Sequence, residues 1–258
     1  MQLMKCFFLT TVSFLFFISI GYTYDSKYSP FTEGNNPNLY ELKDVEYEAS
    51  KGTEEFDWQR VYRVLENGNN MKITVLADKS KGILAKVHNS EMSAPEFGPV
   101  KVGSFLQGFD NLYTAALNDD SKPDIIIVSW AGSASLSASI AHVTFLLFSK
   151  DGYRVFQTNS YNPNKNCFLN IKGKCKFIHT SLIRGEKGRD GKIHNYWVYS
   201  LFGFSDNEIV PENHLRADFP KWIMYSFGPN HQETRQLTTE QKERLWSKKA
   251  YQVFKPID

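Results

Sequence analysis

Ile125, Ile126, Ile127 and Val128 form an unbroken β-branched run directly after a polar stretch, residues 118–124. Successive side chains of a strand point to opposite faces, so a run with no polar member belongs to a strand covered on both sides. Its sheet then needs a further layer on each face. Other segments read as half-buried strands. Met71, Ile73, Val75 and Ala77 alternate with Lys72 and Thr74. Residues 58–65 precede them across Asn67-Gly68, a strong hairpin turn. Further strands are predicted over 83–87, 138–148, 153–158, 177–183 and 193–204. Residues 89–103, which hold two Pro and two Gly, read as a loop. Near the end, Thr238 and Thr239 offer a helix cap with Glu240 and Gln241 just after, which predicts one helix near 238–249. The expected class is mainly β: an antiparallel β meander or sandwich, or a partial propeller-like sheet, with a short C-terminal α-helix. Aromatic residues, 15% of the chain, favour the same class.

The N-terminus points to export. Lys5 is the only charge before Asp25, and residues 7–20 are apolar apart from Thr10, Thr11, Ser13 and Ser19. This is a basic start followed by an apolar core of signal-peptide length, shorter than the ~20 residues of a spanning helix. Ser19 and Gly21 suit a cut after Gly21. We therefore expect a signal peptide over 1–21, an irregular arm over 22–55, and one β-rich domain over 56–258. No other segment is apolar enough to span a membrane, so the mature chain is expected to be secreted or periplasmic. Thirty Lys+Arg against 28 Asp+Glu argue against nucleic acid as a partner. Of three cysteines, Cys6 leaves with the signal. In an oxidising compartment Cys167 and Cys175, flanking a segment that Gly173 can reverse, are expected to form a local disulfide contributing roughly 2–3 kcal/mol.

The stretch Ala116-Leu117-Asn118-Asp119-Asp120-Ser121-Lys122-Pro123-Asp124, running into Ile125, resembles the calcium loop of FG-GAP or VCBS-type repeats, known from integrin α-subunit propellers. The likeness spans about residues 109–128 in one copy. It implies Asn118, Asp120 and Asp124 as calcium ligands, because a hard cation needs several oxygens converging from a tight turn. Ala116 stands at the first acidic position and Ser121 where the family has glycine. Without the family, the same residues read as a β-turn whose Asp124 bonds loop amides.

Catalytic patterns are sparse. Ser133 lies in an Ala-Gly-Ser-Ala-Ser loop after a buried strand, but the Gly-x-Ser-x-Gly pattern of a nucleophile elbow is absent. The histidines His88, His142, His179, His194, His214 and His231 show no metal spacing. Asp110, Asp190 and Asp206 fall in turn-like surroundings, where Asp is common. Arg184, Lys187, Arg189 and Lys192 form a basic cluster suited to a solvated turn or to an acidic glycan or lipid surface. In the strand 193–204, Trp197 and Tyr199 are either core or a stacking platform for a sugar. The expected function is binding, by an exported soluble β-rich protein with a protein or glycan partner. The alternative is a secreted hydrolase with a dispersed carboxylate or serine site.

Overall fold

The computed structural model describes residues 29–31, 38–51, 58–66, 69–104, 109–118, 120, 122–130, 140–149, 151–225, 232–233, 237–250 and 253–257. The expected signal peptide, Ser133 and His231 lie outside the described residues. In chain order the strands are Lys43–Asp44 (β1), Glu46–Lys51 (β2), Trp58–Glu66 (β3), Asn69–Asp78 (β4), Gly82–Asn89 (β5), Glu96–Gly103 (β6), Phe109–Ala115 (β7), Asp124–Trp130 (β8) and Ile140–Ser149 (β9). They continue with Gly152–Tyr161 (β10), Phe168–Ile171 (β11), Lys174–Lys187 (β12), Ile193–Ser205 (β13), Glu208–Pro211 (β14), Lys221–Met224 (β15) and Gln232–Glu233 (β16). The helix Thr239–Ala250 (α1) and the strand Lys255–Ile257 (β17) complete the order.

Three antiparallel sheets result. The first runs β2-β3-β4-β5-β6, the central one β1-β7-β8-β9-β10-β17, and the third β11-β12-β13-β15-β16 with β14 on β13. The protein is mainly β, as its sequence pattern requires. The central sheet explains the run at 125–128. Ile125 and Ile127 face the first sheet with Ile73, Val75 and Ile83. Ile126 and Val128 face the third sheet with Phe145, Phe177 and Phe204. All four are 0–1% exposed. Burial on both faces makes each worth about 1.5–3 kcal/mol, and no polar residue would be tolerated there.

The long strands β12 and β13 overhang the central sheet. One half of their inner face packs on Phe145 and Phe254. The other half, Ile183, Tyr196 and Val198, lies under Leu245 and Trp246 of α1. Trp246 Nε1 donates to Ser200 Oγ at 2.6 Å. The helix starts where the sequence signals it: Thr238 Oγ1 accepts the Gln241 N–H and Gln241 Oε1 accepts the Thr238 N–H, a reciprocal cap worth about 1 kcal/mol. Among the described residues no helix is long and apolar enough to cross a membrane.

Three expectations need correction. The Cys167 and Cys175 thiols are both free. The β11–β12 hairpin turns at Lys172 and Gly173, both at positive φ, and pairs Phe168 with Phe177 and Asn170 with Cys175. Carried one step back, this register sets Cys167 level with Ile178, three positions from Cys175. At ~3.3 Å per residue the offset is about 10 Å, beyond the ~7 Å reach of a disulfide. The arm expected to be irregular to residue 55 forms β1 and β2, with Lys43 opposite Thr114 and Tyr47 opposite Tyr62. Their charged residues suit outermost strands. The loop expected over 89–103 ends in β6, an edge strand where Pro99 is tolerated and the register slips twice.

Candidate functional site

The outer face of the third sheet carries the recess. Alternation puts Ile178, Thr180 and Leu182 of β12 on that face, with Trp197, Tyr199 and Leu201 of β13 beside them. Thr180 pairs with Tyr199 in register. Ile178, Thr180 and Tyr199 form the floor of a recess of about 270 Å³. Its walls are Tyr161, Asn162, Asn164, Asn166 and Cys167 on one side and residues 29–31 on the other.

Both walls are held in place. Phe31 packs on Phe219 with ring centroids 6.4 Å apart, and the Arg216 guanidinium lies over both rings. Arg216 is itself gripped at 3.0 Å by both carboxylate oxygens of Asp218. Opposite, the sequence Asn162-Pro163-Asn164 turns sharply, with Asn162 at a positive φ of 43°. Asn164 Oδ1 accepts the Asn166 N–H at 2.8 Å and starts a single 3₁₀ turn, Lys165–Cys167. Asn164 Nδ2 and Cys167 Sγ both donate to the Asn162 carbonyl. Among the described residues no hydrogen bond engages the side-chain amides of Asn162 and Asn166. Tyr161 stands edge-on to Trp197, centroids 4.8 Å apart and planes at 80°.

The described lining is electrically neutral. Burial pushes the Cys167 thiol up to about 11, so it stays protonated at neutral pH. Burial also raises the Tyr161 phenol, partly offset by the nearby Arg184. Neutral donors and acceptors beside aromatic rings can bind polyhydroxylated molecules, with rings against C–H faces and amides against hydroxyls.

The residues singled out in the sequence fare differently. Asp124 is fully buried and points at backbone: Oδ2 accepts from Leu117 N at 2.8 Å and Asn118 N at 3.4 Å, and Oδ1 from Phe148 N at 2.7 Å. Asn118 Nδ2 turns to Asn207 Oδ1 at 2.9 Å, and Asp120 stays at the surface, accepting from Lys122 N. These residues hold a tight turn, and a cation there would have to displace the amide bonds. Asp190 is bound to His194 at 3.0 Å in the β12–β13 turn, while Asp206 sits in the β13–β14 turn at the other end of β13. Those two carboxylates do not converge. His88 pairs with Glu96 at 2.7 Å on the surface. His179 is buried and its Nε2 meets the Asn159 carbonyl at 2.8 Å. Burial holds it down to about 4, so it is the neutral ring that donates. Trp197 and Tyr199 are both covered core residues, 4% and 1% exposed, and the recess lies over Tyr199. Sequence reading passed over Asn162, Asn164 and Asn166; three Asn in five residues around Pro163 was the available signal. No protein-family model matches the chain, and no curated protein or solved structure is significantly similar to it.

Proposed function

We propose that the protein is an exported binding module whose ligand is a saccharide seated in the recess between Asn162, Asn166, Tyr161 and Tyr199. The observation that carries this reading is the lining, which combines aromatic rings, uncommitted side-chain amides and a threonine. A volume of 270 Å³ equals roughly nine waters of liquid, enough for one sugar ring or the end of a longer chain. The loop 162–167 is already braced by its own hydrogen bonds, so little ordering entropy opposes binding. No acid–base pair is found among the described lining residues, which favours binding over hydrolysis.

The test is titration of the protein with a panel of mono- and disaccharides, followed by calorimetry or chemical-shift changes. Saturable binding is expected. Tyr161→Ala should weaken it about tenfold, the loss of one ring contact of ~1.4 kcal/mol. Absence of saturable binding across the panel, or binding untouched by Tyr161→Ala, overturns the reading.

A further inference from the structure

Beyond the recess, β12 continues to a cation. Arg184 follows Leu182 at the bulge where the β12–β13 register shifts, four residues beyond the recess floor. Its guanidinium lies close to the Tyr161 phenol, so it sits beside a wall residue of the recess. Arg184 is exposed, and no carboxylate of the described residues forms an ion pair with it. A guanidinium has five donors in a planar fork, enough to bind a carboxylate through two of them.

The neighbouring residues are mostly of the same sign. Lys187, Arg189 and Lys192 are exposed on the hairpin that follows. Glu186 and Asp190 stand among them, so residues 184–192 carry four cations against two carboxylates, a net of +2. The site thus pairs a neutral, ring-lined recess with a bidentate cation at its rim and further positive charge beyond.

We propose, building on the saccharide reading above, that the ligand is an acidic saccharide whose sugar ring fills the recess and whose anionic substituent is bound by Arg184. A neutral sugar would leave the Arg184 fork in water, whereas a carboxylate beside the ring matches its geometry. The basic hairpin then contributes long-range attraction that salt weakens.

The experiment compares a uronate disaccharide with the same disaccharide reduced at its carboxylate to the alcohol, in low and high salt. The uronate should bind about tenfold more tightly, with the advantage shrinking as salt rises. In Arg184→Gln the ratio of the two affinities should collapse towards one, and Arg184→Lys should keep only part of it, since charge survives but the fork does not. Equal binding of both sugars to the natural protein overturns this inference and leaves the saccharide reading standing. An acid preference unchanged in Arg184→Gln also overturns it. Binding of neither sugar, nor of any sugar in the wider panel, removes both.

Discussion

Asp124 Oδ1 accepts the backbone N–H of Phe148 at 2.7 Å, tying the first residue of β8 to the far end of β9. The other oxygen holds the amides of Leu117 and Asn118, so one carboxyl joins two strands and the preceding turn. Desolvation outweighs those bonds and raises its pKa from 3.8 to about 7. Between about pH 4 and 7 the folded chain therefore holds a proton that the unfolded chain has released. The stability from this group is complete below its unfolded value and is lost as pH rises through the folded one, an effect on the order of 4 kcal/mol. In Asp124→Asn this loss should vanish. Denaturant unfolding at stepped pH checks it, and an unaltered pH profile would refute the assignment.

His179 works in the opposite direction. Its folded pKa is lowered from 6.5 to about 4, chiefly by burial. Its stability is present above the unfolded value and is lost as pH falls through the folded one, by roughly 3 kcal/mol. Over pH 4–6.5 the two groups offset one another, and the natural protein should respond weakly. His179→Gln should expose the Asp124 slope, with stability falling as pH rises, while Asp124→Asn should expose the His179 slope, with stability rising. The same slope in both variants would show that neither group controls the profile.

The register that separates Cys167 from Cys175 also determines their chemistry. Burial pushes both thiols upward, Cys167 to about 11, so neither is a reactive thiolate at neutral pH. Intact mass should be the same with and without reductant. Alkylation should be slow in the folded protein and should modify both residues in denaturant without reductant. A two-hydrogen mass gain on reduction would restore the disulfide.

Residues whose burial repeats along one strand were readable in advance. The run 125–128 required two covered faces, and Thr238 with Gln241 marked the helix start. What stayed hidden depends on distant partners. β17 is three residues long and exists because Lys255, Pro256 and Ile257 meet β10. β6 contains Gly98 and Pro99, which locally signal a loop, and only β5 makes it a strand. The cysteines were misread because the turn falls at Lys172 and Gly173, off the midpoint between them, and one shifted position changes every cross-strand pair. The recess joins residues 29–31, 161–167, 178–180 and 199, a grouping that no local spacing encodes.

Lys176 Nζ meets Glu212 Oε2 at 2.6 Å, with side-chain exposures of 4% and 20%. The pair lies over Gly203, which is opposite Lys176 in the β12–β13 ladder. A Cβ on Gly203 would overlap the Glu212 carboxylate, so the glycine makes room for the ion pair. Removing one partner strands the other charge in a site with little water. Lys176→Met should therefore destabilise by about 3–5 kcal/mol, and adding Glu212→Leu should recover much of the loss, because the apolar pair has no charge to desolvate. Gly203→Ala should lower stability by ~1–3 kcal/mol in the natural protein through overpacking. In a Glu212→Ala background its effect should shrink, since the clashing carboxylate is gone and only the movable Lys176 Nζ remains close. A double-mutant cycle with denaturant unfolding measures that coupling. Additive losses from Gly203→Ala and Glu212→Ala would mean that the glycine is needed for some reason other than the ion pair.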